Sequence, residues 1–330
     1  MPAKPNICLV SPARNEGPYL LEWIAWHRVI GFDDIVVLTH DCTDGSDGLL
    51  DALANHGFVR HLRHQPSDSE SPLGSAYRCA RQDPQVVAAD WVMALDTDEF
   101  LQVFAGDGSI HDLIRLNGQH CLGMAVNWKV FGSNEQTIWT DEFVRHQFTR
   151  AAEGQVRANM HYKSIFRDLK DFARMASHTP RRYSGQWGGD NIWVDSEGAP
   201  LRAVQLGGKP KHSRAIAMRR ITHEAAQVNH YAVKSSEGFS LKGTRKSGAA
   251  RVYRHDEEFF ETYNRNESED LSALSHEATF AVEYAKLLAV PEVERLHHAC
   301  CASYVAQLCQ HARIAPDTDA RYLHHMALSQ

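Results

Sequence analysis

The sequence predicts an α/β protein in which a mostly parallel sheet carries helices on both faces and is followed by C-terminal helices. Three observations predict this class. Short apolar runs alternate with segments of helical periodicity through the first hundred residues, which is typical of parallel β–α units. Polar loops follow the ends of several apolar runs. From about residue 256 onward, long stretches carry apolar residues at helical spacing.

The composition narrows the class of protein further. The 330 residues are 43% hydrophobic and 23% charged with a formal net charge of −6, which is typical of a globular protein and disfavours a general nucleic-acid role. Seven cysteines without a C-x-x-C pair indicate a reduced, cytosolic protein. Because no apolar run reaches about 18 residues, we expect no membrane span, and at most a peripheral contact with a membrane.

The elements of the first hundred residues follow from their apolar runs and stop signals. Strands are predicted at residues 6–10, 34–39, 58–62 and 91–95. Helices are predicted at residues 17–31, 44–57 and 71–82. Gly31 is expected to end the first helix, and Asp44 or Ser46 to cap the second. The loops after the first, second and fourth strands should meet at one edge of the sheet, where ligands bind in such folds.

The remaining elements are less regular. Strands are predicted within residues 121–133, 143–150 and 162–169, and a Gly- and aromatic-rich loop at 183–193. Helices are predicted within residues 256–265, 271–290 and 291–314, with Pro291 at a helix start. A basic run gives way to these helices near residue 255, which predicts a boundary there.

Three carboxylates directly follow the fourth predicted strand, in the segment LDTDEFL. Hard divalent cations are bound by one or two carboxylates together with substrate phosphates. Asp96 and Asp98 therefore predict a site for Mn²⁺ or Mg²⁺ that also holds a diphosphate. The alternatives are a helix N-cap or a solvated turn. A phosphohydrolase with Asp96 as nucleophile is a further alternative, although its motif normally follows the first strand and has Thr or Val in place of Phe100.

Five segments together resemble the family-2-like bacterial glycosyltransferases that are related to glycosyltransferase family 92. They span about residues 6–266 and begin with SPARNEG, ADWVMALDTDEFL, NWKVFGSN, YKSIF and NHYAVKS. The resemblance implies the GT-A fold for residues 1–255, with residues 256–330 as a helical C-terminal extension. It also implies that the D-x-D motif holds Mn²⁺ or Mg²⁺ against the diphosphate of a nucleotide sugar.

The same resemblance nominates residues that bind the donor. PARNEG is similar to the nucleotide-contacting loop of the family, which implies donor contacts for Arg14, Asn15 and Glu16; helix capping is the alternative for the last two. HDCTDGS is similar to the second nucleotide loop and implies that Asp41 lies near the nucleobase. One acidic residue of that loop is missing here and Cys42 replaces a Ser-like position, so uracil is only the default base.

Later segments complete the implied site. His230 in NHYAVKS matches a position that often completes the metal shell, and neutral imidazole is an acceptable ligand for Mn²⁺. Lys234 and Lys242 would neutralise the leaving diphosphate, the alternatives being a solvated face or contact with acidic lipid headgroups. Lys163 in YKSIF also matches a family position and is assigned a donor contact.

The predicted reaction is transfer of a sugar from a nucleotide-sugar donor, by default a UDP-sugar, to a hydroxyl of a glycan, lipid-linked or protein acceptor in polysaccharide or glycoconjugate synthesis. The resemblance implies inversion, which requires a carboxylate base. Asp190 is the first choice because Gly-flanked loops often close over donors; Glu142 and Asp141 are the others. The alternative functions are a non-catalytic nucleotide-sugar-binding protein and a D-x-D phosphohydrolase.

Overall fold

A computed structural model describes residues 4–201, 220–246, 248 and 252–330 of the chain. Its strands are β1 (Ile7–Ala13), β2 (Asp34–Thr39), β3 (Arg60–Arg63), β4 (Trp91–Ala94), β5 (Glu99–Val103), β6 (Gly123–Val130), β7 (Arg150–Ala151), β8 (Tyr162–Arg167), β9 (Phe172–Arg174), β10 (Arg181–Tyr183), β11 (Trp193–Asp195), β12 (Ala226–His230) and β13 (Ser268–Glu269). Its helices are α1 (Gly17–Val29), α2 (Ser46–Asn55), α3 (Pro72–Gln82), α4 (Pro84–Ala88), α5 (Ile110–Asn117), α6 (Val144–Gln147), α7 (Ser236–Gly243), α8 (Glu257–Tyr263), α9 (Glu277–Leu288), α10 (Val293–Ala312) and α11 (Ala320–Leu328).

One large mixed sheet has the strand order β3-β2-β1-β4-β8-β6-β12-β5, and β11 pairs with the start of β6. Strands β3, β2, β1 and β4 are parallel, so the loops that follow β1, β2 and β4 lie at one edge, as predicted. Strand β8 is antiparallel to both neighbours, and β5 is antiparallel to β12. The strand order confirms the predicted α/β class of the GT-A type, with a parallel half joined to a mixed half.

The parallel strands are buried on both faces, which explains why they read as continuous apolar runs. In β1, Ile7 and Leu9 belong to one apolar cluster, whereas Cys8 and Val10 belong to the other. The first cluster includes residues of α1 and α2, and the second those of α3 and α4. Each face of the sheet therefore has its own helical cover.

The C-terminal helices pack on the first of these clusters. Phe280 and Leu287 of α9 and Cys300 and Val305 of α10 are buried in the same apolar cluster as Trp23 of α1. The division of the chain at residue 255 stays a prediction, but these helices pack on α1 and α2 and share their core rather than forming a separate one. Among the described helices, none is both long and apolar enough to cross a membrane.

Helix boundaries show where local signals succeed and fail. Gly31 adopts φ +100° one residue beyond the C-cap of α1, so the predicted stop is confirmed. The N-cap of α2 is Gly45, not Asp44 or Ser46. Asp44 instead serves two helix starts, since its carboxylate accepts hydrogen bonds from the Ser46 hydroxyl at 2.6 Å and from the Gly17 amide at 3.0 Å.

The predicted strand at residues 143–150 is wrong in its greater part. Residues Val144–Gln147 form the short helix α6, and only Arg150 enters a strand. The reason is tertiary: the buried carboxylate of Glu22 accepts hydrogen bonds from the backbone amides of Val144 and Arg145, at 2.7 and 3.1 Å, and so satisfies the first turn of the helix.

His27 should make folding sensitive to acid. Its ring is buried, with Nδ1 donating to the Trp23 carbonyl at 2.8 Å and Nε2 accepting the Leu101 amide at 3.3 Å. Burial lowers the pKa of His27 to about 3. The neutral ring therefore stabilises the fold fully above about pH 6.5, and this contribution falls as the pH drops toward the folded pKa, by on the order of 2 kcal/mol between pH 6.5 and 5.

The measurement is urea unfolding of the wild type and of His27→Gln at both pH values. We expect the variant to be less stable at pH 6.5 but to lose less stability on acidification to pH 5. His56→Gln, at an exposed histidine of the adjoining α2 terminus, is the control and should keep the wild-type slope. An unchanged slope in His27→Gln would contradict the assignment.

Candidate functional site

The D-x-D motif lies in a tight turn that joins β4 to β5. The Glu99 amide donates to the Asp96 carbonyl at 3.0 Å, and the Asp96 amide donates to Oε2 of Glu99 at 2.8 Å. Glu99 is fully buried, whereas the Asp96 side chain is 39% exposed. Glu99 therefore anchors the turn, and the turn presents Asp96 and Asp98 at the edge of the sheet.

A buried lysine, Lys163, pairs with two carboxylates of this turn. Nζ of Lys163, on β8, lies 2.8 Å from Oε2 of Glu99, 3.0 Å from Oδ2 of Asp96 and 2.9 Å from the Ser177 hydroxyl. Burial alone would lower the pKa of Lys163, but the carboxylates of Asp96 and Glu99 raise it above its usual value. Burial also raises the pKa of Glu99, to about 8. With its side chain fully enclosed, Lys163 acts on Asp96 rather than at the surface; its predicted donor contact stays untested.

Sheet register brings Asp98 and His230 together. His230 ends β12 opposite Glu99, and the following Tyr231 amide donates to the Asp98 carbonyl at 2.9 Å. As a result, Nε2 of His230 faces Oδ1 of Asp98 at 3.8 Å. The other oxygen, Oδ2, accepts a hydrogen bond from Nζ of Lys242 on α7 at 2.8 Å. Two of the predicted metal ligands and one predicted donor-binding lysine therefore meet.

The charged groups around Asp98 suit a ligand that carries several negative charges. Burial alone would raise the pKa of Asp98, but the positive charge of Lys242 holds it well below its usual range. Burial lowers the pKa of His230 to about 3, so its ring is neutral at pH 7 and carries a lone pair. Trp128 packs against that ring at 4.1 Å between centroids. Within the described residues, Nδ1 of His230 has no hydrogen-bond partner.

Glu16 and Lys234 extend this group toward the loop after β1. Nζ of Lys234 lies 4.2 Å above the ring of Tyr19, at the start of α1. Burial raises the pKa of Glu16, although the charges of Lys234 and Lys242 lower it. Burial lowers the pKa of Lys234, although the charge of Asp98 raises it. Glu16 occupies the N-cap position of α1 but makes no side-chain capping bond, so its carboxylate is not used by the helix.

Hydrogen bonds join the loop after β1 to the loop after β2. The Asn15 side chain accepts the Thr43 amide at 2.8 Å and donates to the Thr43 hydroxyl at 3.0 Å, and Nε of Arg14 donates to the Asp41 carbonyl at 3.4 Å. Asn15 and Asp41 both have positive φ, 56° and 46°. In this state Asn15 holds the loops together, while Arg14 and Asp41 lie side by side at the rim.

Asp190 lies at the opposite end of β6 from His230. Its Oδ1 is 3.5 Å from Nδ1 of His120, just before β6 begins, and β11 pairs with the first residues of that strand. His230 pairs instead with Val130, the last residue of β6. An eight-residue strand spans roughly 23 Å at about 3.3 Å per residue. The structure therefore does not bring Asp190, our first choice of base, to the D-x-D turn.

Glu142 and Asp141 lie in the loop between β6 and α6. They border a small cavity with Tyr19 of α1, Tyr284 of α9 and His297 of α10. Glu142 is exposed, and its carbonyl accepts a hydrogen bond from Gln147. Across the described ranges, no hydrogen bond or ion pair joins either carboxylate to Asp96 or Asp98.

One residue near the site escaped the sequence analysis. His255 interacts electrostatically with Lys242 and Asp98, and burial lowers its pKa to about 4. Both of its ring nitrogens lack a hydrogen-bond partner among the described residues. The sequence offered no signal for it beyond its place at the end of the basic run.

Comparison with known proteins adds a relationship in sequence. No family model matches the chain. A glycosyltransferase family 92 protein of Oryza sativa subsp. japonica is 26% identical over 112 residues, which are 33% of this chain and 18% of that protein. One of Ricinus communis is 27% identical over 104 residues, 31% of this chain and 18% of that protein. The matched segment thus spans less than a fifth of the length of either relative.

The solved structures include TarS 1–349 of S. aureus in complex with UDP-GlcNAc, with a TM-score of 0.38 and 11% identity over 98% of this chain and 88% of that one. Over about a third of its length, this chain is related in sequence to glycosyltransferase family 92, in agreement with the resemblance of its motifs.

Proposed function

We propose that this protein is a metal-dependent glycosyltransferase that moves a sugar from a nucleotide-sugar donor, by default a UDP-sugar, to a hydroxyl acceptor. The observation that carries the proposal is the meeting of Asp98, His230 and Lys242 at the end of the parallel strands. A carboxylate, a neutral imidazole and an ammonium there suit a cation and a diphosphate together. The relationship to family 92 supports the same activity.

The residues present fit Mn²⁺ or Mg²⁺. Oδ1 of Asp98 and Nε2 of His230 are 3.8 Å apart, which is less than the span of about 4.2 Å that two ligands of one such ion can have. Asp98 and His230 would hold the ion, with Asp96 beside them. When bound, the ion would supply Lewis-acid stabilisation of the departing diphosphate.

The lysines would act on the same leaving group. Lys242 already neutralises one oxygen of Asp98, and the half-buried Lys234 lies within the electrostatic reach of that carboxylate. A diphosphate at this edge would give both ammonium groups a second anionic partner and lower the cost of their burial. Arg14 and Asp41, at the rim of the parallel strands, are proposed to contact the nucleoside. Inversion stays a prediction of the resemblance, and the base and the acceptor stay predictions from the sequence.

The test is a thermal-shift screen of the full chain against UDP, GDP and dTDP sugars, with and without Mn²⁺, followed by an assay for slow hydrolysis of any sugar that binds. We expect stabilisation by a UDP-sugar that depends on Mn²⁺, and release of UDP. If no nucleotide sugar raised the unfolding temperature, the proposal would be wrong. Binding without any turnover would favour a nucleotide-sugar-binding protein.

A further inference from the structure

A second group of metal-binding side chains lies where the last two helices meet the loop between β6 and α6. We propose that Asp141, His324 and His325 form a binding site for a divalent transition metal of the zinc class. One carboxylate oxygen and one nitrogen of each ring all lie within 4.8 Å of one another. Within residues 4–201, 220–246, 248 and 252–330, this is the one group of three such side chains.

The spacing is close to what a zinc ion needs. Four-coordinate zinc binds nitrogen and oxygen at about 2.0–2.2 Å, so its ligand atoms lie about 3.4 Å apart. Asp141 and His324 are exposed, and small rotations of these two side chains would close the group around an ion. The third member, His325, is buried and supplies a fixed point.

The fixed histidine is already oriented as a metal ligand. Nε2 of His325 faces Oδ2 of Asp141 at 3.7 Å, while Nδ1 of His325 meets Nδ1 of His298 on α10 at 3.0 Å. A metal-bound imidazole usually has its second nitrogen held by a hydrogen bond, which fixes the ring orientation. His298 fills that role here, so it is a positioning residue for the proposed site.

The neighbourhood contains a further polar group without a partner. His297, next to His298 on α10, is buried and borders the same small cavity as Asp141. Its Nε2 lies 3.7 Å from the thiol of Cys301, but Nδ1 has no hydrogen-bond partner in the described part of the chain. Buried imidazoles on two helices thus converge on the side of the cluster that is closed to solvent.

The ligand chemistry separates this site from the D-x-D turn. Two imidazoles and one carboxylate suit Zn²⁺, whereas Mn²⁺ and Mg²⁺ prefer sites rich in oxygen. Three protein ligands leave an open position, which would face solvent on the side of the exposed His324. Because the ligands come from α11 and from the loop before α6, an ion here would fasten the last helix to the body of the protein. The inference does not depend on the proposed activity.

The test uses the full chain after removal of any polyhistidine tag and of bound metal. Zn²⁺ binding is measured by calorimetry at pH 7.5 in competition with a chelator, and Co²⁺ binding by visible absorption, which reports the ligand set. We expect one equivalent of Zn²⁺ and a higher unfolding temperature on binding. His324→Ala and Asp141→Asn should abolish this site, and His298→Gln should weaken it by about 10- to 100-fold.

Two controls make the result specific. His311→Ala, at an exposed histidine of α10, should leave zinc binding unchanged. Asp98→Asn should also retain it, which separates this site from the proposed donor site. Failure of the wild type to bind Zn²⁺, or undiminished binding by His324→Ala, would overturn the proposal. His324→Ala and Asp141→Asn replace exposed side chains, so both variants should fold. An unfolding curve recorded without metal checks that they do.

Discussion

Replacing Asp98 by asparagine should reduce nucleotide-sugar hydrolysis by about 10²- to 10³-fold. Oδ1 of Asp98 faces His230 at 3.8 Å, and Oδ2 accepts a hydrogen bond from Lys242 at 2.8 Å, so one carboxylate links the imidazole and the ammonium. Asparagine preserves the shape and one acceptor but removes the negative charge that a divalent cation requires. We therefore also expect the Mn²⁺ concentration for half-maximal activity to rise sharply.

The measurement is release of UDP from the UDP-sugar that binds best, over a range of Mn²⁺ concentrations. Asp107→Asn is the matched control, because Asp107 is an exposed aspartate beyond the other end of β5 and should leave both parameters unchanged. A thermal unfolding curve must show that Asp98→Asn is folded. If folded Asp98→Asn retained wild-type activity and Mn²⁺ dependence, the metal role of Asp98 would be excluded.

The parts of the fold that could be predicted are those decided by short stretches of sequence. Strands β1, β2 and β4 are buried on both faces, so nearly every residue in them is apolar and the run is visible without knowledge of its neighbours. The D-x-D turn follows β4 directly, and the parallel order of the strands then fixes its edge of the sheet. Gly31 was recognisable because its positive φ suits glycine.

Local sequence patterns do not predict contacts that depend on pairing between distant segments, and only the family resemblance associates His230 and Lys242 with the D-x-D motif. Asp98 meets His230 only because β12 pairs with β5 in a particular register, and meets Lys242 only because α7 follows β12. The glycines around Asp190 predict a loop that closes over the donor, but β11 adds to the start of β6 and carries that loop to the other end of the strand. No local sequence pattern predicts the register of β12 on β5 or of β11 on β6.

Arg145 illustrates the same limit and has the largest consequence for stability. Its side chain is fully buried: Nη1 donates to the Ala273 carbonyl at 2.6 Å and to Oε1 of Glu277 at 2.8 Å, and Nε lies 3.2 Å from Oε1 of Glu22. The guanidinium also lies over the rings of Trp26 and Phe280, at 4.5 and 4.0 Å. A residue predicted within a strand thus joins α1, α6 and the start of the C-terminal helices.

Arg145→Met should therefore lower the free energy of unfolding by about 3–5 kcal/mol, because it leaves the buried carboxylate of Glu22 without its cation. Burial raises the pKa of Glu22 although the charge of Arg145 lowers it. Without Arg145, the carboxyl group would therefore be protonated or would remain as an uncompensated buried charge. Urea denaturation at pH 7 measures the loss. Arg115→Met is the matched control: Arg115 also pairs with an aspartate, Asp112, but its side chain is 72% exposed, and we expect a loss below about 1 kcal/mol.

A double variant distinguishes the lost ion pair from lost packing. If the unpaired charge of Glu22 causes the destabilisation, Arg145→Met combined with Glu22→Gln should be more stable than Arg145→Met alone. Glutamine removes the charge and its one oxygen still accepts the Val144 amide, although the hydrogen bond from the Arg145 amide is lost. If the double variant were no more stable than Arg145→Met alone, the unpaired charge of Glu22 would not be the cause, and lost packing against Trp26 and Phe280 would account for the destabilisation. A loss below 1 kcal/mol in Arg145→Met itself would show that Arg145 does not hold the C-terminal helices to the sheet.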